Sequence, residues 1–359
     1  MRRWSLGSLA FAASLLAVAC DEPRVRVYAI GGAWANATTN LAGIPSECGN
    51  LSLLSVKPDQ DLLIASVAQH GLWSSTNGGV SWAPMGQGAG SAVITNRASS
   101  IVYDPTSPRR FWESGLYNGA GVYRTDDDGD TFLQLGSVSQ NDLVSIDFTD
   151  PQRQTLLAGA HERPSALFRS TDGGGTWTDL GSTLPAEWGN STFPLVVDGR
   201  THLLATWATA DSGIFRTIDG AKSWSKVFSG GVFSYPMVAS DGTIYWLLEG
   251  NAGLIASGDS GVTWKRLGGA GIFAAAASLI ELPDGRLVSY RTGFLVLSSD
   301  RGATWTAITP ALPFVPNGVV YSRFQKALYI WHWDCAAAYP GDPVLTDAIM
   351  RLPFDYTRQ

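Results

Sequence analysis

Apolar residues along this chain come in short runs broken by Gly, Asp and Pro, and few long amphipathic stretches are present. One region shows the pattern well. Leu143-Val-Ser-Ile-Asp-Phe148, Gln154-Thr-Leu-Leu-Ala-Gly-Ala160, Ala166-Leu-Phe-Arg169 and Thr176-Trp-Thr-Asp-Leu180 read as four consecutive strands, A to D. Asp-Pro pairs at 104–105 and 150–151 and Asp-Gly pairs at 241–242 and 284–285 mark A–B turns. The pattern predicts an all-β chain, and 40 glycines and 18 prolines fit one rich in turns.

The C–D turn carries a repeated motif. Its clearest copies are Ser170-Thr-Asp172-Gly-Gly174-Gly-Thr176-Trp177, Ser257-Gly-Asp259-Ser-Gly261-Val-Thr263-Trp264 and Ser298-Ser-Asp300-Arg-Gly302-Ala-Thr304-Trp305. Looser copies end at Trp82, Phe132 and Trp224, so the final aromatics lie 50, 45, 47, 40 and 41 residues apart, which marks a modular repeat. The aspartate can accept hydrogen bonds from backbone N–H groups in a tight turn, and glycine supplies positive φ. The hydroxyls close the turn locally. Three copies depart: Asn77 replaces the carboxylate, Phe132 replaces Trp, and Ala221 replaces glycine. If φ is positive at Ala221, that substitution costs about 1 kcal/mol.

These motifs are Asp boxes, and the chain resembles the Asp-box (BNR repeat) β-propeller superfamily, which includes sialidases, xyloglucanases, the sortilin ectodomain and the photosystem II assembly factor. The resemblance implies four-stranded blades around a central channel. After Trp305, Gly318-Val-Val-Tyr-Ser322, Ala327–Trp333 and Ala348–Leu352 read as A, B and C with no D. The missing strand is expected from Tyr28–Ala37, where Trp34 lies 48 residues before Trp82. The fold expected is therefore all-β, a single seven-bladed propeller over 28–359 with its N-terminal strand closing the last blade; closure removes an open sheet edge. Six blades with a decorated C-terminus is the competing count.

Residues 1–19 read as a targeting segment: Arg2 and Arg3 precede an apolar core, Leu6 to Ala19, too short to span a bilayer. Leu16-Ala-Val-Ala19-Cys20 resembles a bacterial lipobox, which implies cleavage before Cys20, its lipidation, and a short tether over 20–27. Ordinary secretion is the alternative. The expected location is the bacterial cell envelope, with the membrane contacted through the lipid on Cys20. Cys48 and Cys335 remain as an even pair in an oxidising compartment, and the ring places them on neighbouring blades, so a disulfide is expected. The net charge is −6, and without Arg2 and Arg3 it is −8. No basic stripe with interleaved aromatics is present, so nucleic acid is not an expected partner. A monomer without a cofactor is expected.

In the enzymes that this chain resembles, the site lies on the face opposite the boxes, and the box residues are structural. Asn77, Asp127, Asp172, Asp219, Asp259 and Asp300 are assigned that role. The opposite face gathers polar and aromatic B–C loops. They supply candidate catalytic carboxylates at Glu162, Asp211, Glu249 and Asp334, and candidate ligand-binding residues at His70, Asn118, His161, Arg163, Trp207, Arg291, His332 and Trp333. Tyr117, Tyr290 and Trp331 belong to the same loops, and Arg97, Trp188, Asn190, Phe233 and Tyr235 to the D–A connections. Aromatic faces and carboxylates together suit a glycan. Glycoside hydrolysis needs two carboxyls about 5–5.5 Å apart for retention or about 6.5–9.5 Å for inversion.

His70, His161 and His332 fall at equivalent B-strand ends, which also admits metal binding or proton abstraction beside a uronate carboxyl held by Arg163 or Arg291. The arginines do not match a sialidase triad. Tyr103-Asp-Pro and Gly121-Val-Tyr-Arg-Thr resemble xyloglucanase repeats, but that resemblance implies a cleft between two propellers, and this chain has one. Two functions follow: a surface-anchored propeller that recognises and cleaves extracellular glycan, or a non-catalytic propeller that binds glycan, peptide or an envelope protein.

Overall fold

The region read as one module folds into Val144–Ile146, Leu156–Gly159, Leu167–Ser170 and Thr178–Asp179, hydrogen-bonded antiparallel in that order. The structure, a computed structural model, describes residues 32–44, 46, 51–163, 165–184, 192–209, 211–275, 277–332 and 349–358. Among them the same up-and-down order recurs in seven four-stranded sheets, so the ring has seven blades. The A strands are Leu51–Val56, Arg97–Tyr103, Val144–Ile146, Thr192–Val196, Met237–Val238, Ile280–Glu281 and Gly318–Ser322.

The B strands, such as Leu63–Val67 and Ile244–Leu247, are buried along almost their whole length, the end of Leu287–Arg291 being the exception. Each blade is covered on both faces by its neighbours, so these strands read as continuous apolar runs instead of alternating ones. Seven apolar clusters sit one at each blade junction. The D strands, at the rim, are mostly exposed.

Both ends of the described chain build the seventh blade. Gly318–Ser322, Ala327–Trp331 and Ile349–Pro353 pair in order, and Ala35–Asn36 completes the sheet with Ala35 opposite Arg351. Ala37 N–H donates to the Ile349 carbonyl at 2.9 Å, and Ile349 N–H donates to Thr38 Oγ1, also at 2.9 Å.

The six repeat turns share one hydrogen-bond scheme. In the third blade Ser170 Oγ donates to Asp172 Oδ1 at 2.8 Å and accepts Gly174 N–H at 2.8 Å. Asp172 Oδ1 and Oδ2 accept the N–H and hydroxyl of Thr176 at 2.9 and 2.7 Å. Asp127, Asp219, Asp259 and Asp300 do the same, so each carboxylate is occupied within its own turn. Asn77 keeps the geometry by reversing one bond: its Nδ2 donates to Ser81 Oγ at 2.9 Å.

In the five turns that keep it, the glycine allows close approach to the preceding blade. A Cβ at Gly174 would lie 2.7 Å from Leu135 Cδ1. Nearby, the Trp177 indole N–H donates to the Leu135 carbonyl at 3.0 Å. Ala221 adopts φ 67°, the conformation expected to carry a penalty.

Candidate functional site

Each repeat turn follows a C strand that runs antiparallel to B, so the B–C loops and the starts of the A strands lie at the opposite end of the ring. There, over the channel, lies a cavity of about 300 Å³. Every blade contributes to its wall: Ser52; Ala98, Ser99 and Leu116; Asp142, His161 and Glu162; Phe193 and Trp207; Phe233 and Tyr235; Ala275 and Ala277; Asn317 and Trp331. The volume is at the lower end of the range for small-ligand sites, about 300–1,000 Å³.

One wall is aromatic. Trp207 packs edge-on against Phe233 with centroids 4.5 Å apart, and Phe193 contacts both Phe233 and Tyr235. The Tyr235 hydroxyl crosses from blade five to donate to the Ser99 carbonyl of blade two at 3.2 Å. That bond spans the channel and makes the cavity a cup.

The adjoining wall, from blades two and three, carries charge. His161 Nδ1 donates to Asp142 Oδ1 at 2.9 Å, and the Tyr117 hydroxyl lies 3.0 Å from His161 Nε2. A carboxylate only accepts, so Asp142 fixes the proton on Nδ1, and the neutral ring accepts from Tyr117 through Nε2. Glu162 Oε1 lies 3.8 Å from that same Nε2. The Arg97 guanidinium sits 5.0 Å from the Tyr117 ring centroid. Burial works against the charged form of His161, but the hydrogen bond and charge of Asp142 outweigh it and hold the pKa above its ordinary value. His161 can therefore hold its second proton to a higher pH than an ordinary imidazole does.

Of the residues singled out from sequence, His161, Glu162 and Trp207 meet in this cup. Arg291 lines a separate cavity of about 200 Å³ between blades six and seven, and His332 rests on its Phe314 wall. The others stand apart. His70, Asn118 and Asp211 are exposed outside the cup. The Arg163 guanidinium lies over Phe168, 5.3 Å from its centroid. Glu249 turns back to accept the Ala208 N–H at 3.3 Å and staples two loops. Cys20, Cys48, Trp188, Asn190, Trp333, Asp334 and Cys335 lie outside the described residues. Among the described residues no three His, Cys, Asp or Glu side chains converge to hold a metal.

Sequence reasoning missed Asp142, Phe193 and Asn317. The available signal was position: Asn141-Asp142 opens blade three where Asn96-Arg97 opens blade two, so polar residues recur just before the A strand.

No family model matches the chain. A xyloglucanase of Paenibacillus sp. is 29% identical over 215 residues, 56% of this chain and 19% of that protein. The photosystem II assembly lipoprotein Ycf48 of Synechococcus sp. (strain CC9902) is 33% identical over 109 residues, 29% of each chain. The chain thus aligns with less than a third of the length of either relative. Among solved structures, the GH74 xyloglucanase from Xanthomonas campestris superposes with a TM-score of 0.57 at 15% identity, covering 90% of this chain and 54% of that one. Ycf48 bound to D1 peptide superposes with a TM-score of 0.55 at 14% identity, covering 90% and 96%. These structures share the propeller fold with this chain.

Proposed function

We propose that this protein is an Asp-box propeller of the bacterial envelope that recognises an extracellular glycan, seating one sugar unit in the cup over its channel. The observation that carries the reading is the meeting of two kinds of wall in one cavity. Trp207 and Phe233 supply apolar ring surface, and Asp142, His161 and Glu162 of the neighbouring blade supply hydrogen-bonding groups. A sugar has the matching character, with C–H faces and a hydroxyl rim. The similarity to a xyloglucanase supports a glycan ligand.

Hydrolysis is the finer part of this reading. Among the described residues the carboxyls of the cup are Glu162, which is exposed, and Asp142, which is engaged with His161. In this scheme Glu162 is the acid or base and Asp142 acts through the imidazole. A screen of neutral and acidic oligosaccharides, reading both binding and product release, tests it. Release of product by the native chain and its loss in Glu162→Gln would support cleavage. Binding without release, unchanged in that variant, would leave a lectin-like propeller.

A second reading has its own support. The peptide-bound Ycf48 structure matches along nearly its whole length, whereas the xyloglucanase structure matches over about half. On that reading the cup takes a peptide from an envelope protein, and a peptide library would give ligands where the saccharide panel gives none.

Export and the lipid anchor rest on the leader and Cys20. Palmitate labelling that disappears in Cys20→Ser supports them; unlabelled native protein refutes the anchor.

A further inference from the structure

We propose that the cleft between blades six and seven is a second sugar subsite, selective for an acidic sugar whose anionic group is held by Arg291. The proposal rests on the glycan reading above and adds the charge of the ligand. The cleft is lined by Phe273, Tyr290, Arg291, Leu312, Phe314 and Val315. Phe273 and Tyr290 stack with centroids 5.4 Å apart and planes at 14°. Backbone bonds fix the walls: Phe273 N–H donates to the Tyr290 carbonyl at 3.0 Å, and Leu312 N–H to the Gly293 carbonyl at 2.8 Å. His332 Nδ1 donates to the Val315 carbonyl at 2.8 Å, which holds the Phe314 side. The pocket is therefore largely preformed.

Arg291 is the unusual member. Among the described residues its Nε is buried without a hydrogen-bond partner, and the guanidinium has no ion pair. Buried polar atoms in native proteins are overwhelmingly paired, and a cationic donor is the costliest to leave alone. Arg169 makes the contrast: its Nε is equally unsatisfied, but its Nη1 donates to the Gly220 carbonyl at 2.8 Å. The terminal Nη groups are not buried, and their parallel N–H groups match a planar oxyanion, so a ligand carboxylate in the cleft can pair the charge that no acidic side chain among the described residues meets.

The two cavities are neighbours along the same segments. Phe273 lines the cleft and Ala275 and Ala277 the cup; Pro316 lines the cleft and Asn317 the cup. An extended chain can place one unit in the cup and an acidic unit beside Arg291.

The test is calorimetric titration of the full chain with hexagalacturonate and with its methyl ester, for the native protein and for Arg291→Gln and Arg291→Lys. The native chain is expected to prefer the acid at least tenfold. Arg291→Gln should bring the acid down to the affinity of the ester, and Arg291→Lys should keep part of the preference. Equal affinities in the native chain, or a preference that survives Arg291→Gln, would overturn this inference and leave the glycan reading standing. Binding of neither saccharide would overturn both. Hexaglutamate binding as tightly as the acid, and likewise lost in Arg291→Gln, would replace the sugar with an acidic peptide and overturn the subsite as stated.

Discussion

Asp142 and His161 are bound to each other at the mouth of the channel, Oδ1 to Nδ1 at 2.9 Å. The contact joins the start of one strand to the end of the next, so it forms once these two strands of blade three have paired. Because the folded pKa of His161 lies above the ordinary 6.5, the charged ring contributes stability fully below about pH 6.5. That contribution is lost as pH rises through the folded value. In Asp142→Asn the largest contributions that raise it are gone, and the His161 pKa is expected to fall. An NMR titration of the imidazole protons reads the change; an unmoved midpoint would count against the pair.

Trp207 is expected to be the main apolar contact for a ligand. Trp207→Ala should weaken saccharide binding by about 1–2 kcal/mol, roughly tenfold, while Trp207→Phe should keep much of it. Titration calorimetry measures this, with circular dichroism as the check that the ring is intact. Equal affinities in all three proteins would move the ligand elsewhere.

Replacing Ala221 by Gly should stabilise the fold by about 0.5–1 kcal/mol, because a left-handed residue no longer carries a Cβ. Gly174→Ala should do the reverse and cost more than about 1 kcal/mol, since its Cβ would also meet Leu135. Urea denaturation of the pair gives the two signs directly.

Acid should unfold the ring in two stages. His202 is fully buried, and that burial pushes its pKa down to about 4, so stability falls as pH drops from about 6.5 towards 4. The slope is at most about 1.4 kcal/mol per pH unit. The Thr176 backbone N–H lowers Asp172 to about 2, and the Thr263 hydroxyl does the same for Asp259. Their contributions are present above about pH 4 and vanish as pH falls towards 2. Thermal melts of His202→Leu should lose the first stage and keep the second.

Much of the fold was legible because the repeat is local. A turn that needs Ser or Thr, Asp and Gly at fixed offsets writes itself into the chain, and the strands on either side follow from it. Gly318–Ser322 coincides with its predicted span, and Ile349–Pro353 differs by a single residue. One feature of the turn went unread. The residue before each box glycine also has positive φ, as Gly173, Asp128, Ser260 and Arg301 show, but half the copies put a non-glycine there and the pattern dissolves.

The site was less legible, since it is assembled from distant segments. His161 stood out by residue type and by its equivalence to His70 and His332. Asp142 did not, because an acidic residue ahead of a strand is ordinary until the fold sets an imidazole beside it. Glu249 was misleading for the opposite reason: its carboxylate looked available, and the structure spends it on the Ala208 N–H.

The seam of the seventh blade has a bearing on how the chain comes to exist at all. Thr38 and Ile349, joined by hydrogen bonds, are 311 residues apart. A growing polypeptide cannot make that junction until nearly all of it has emerged, so the first residues must wait unpaired while six blades stack. Contacts this remote slow folding. The ring is thus a clasp whose two halves come from the far ends of the described chain.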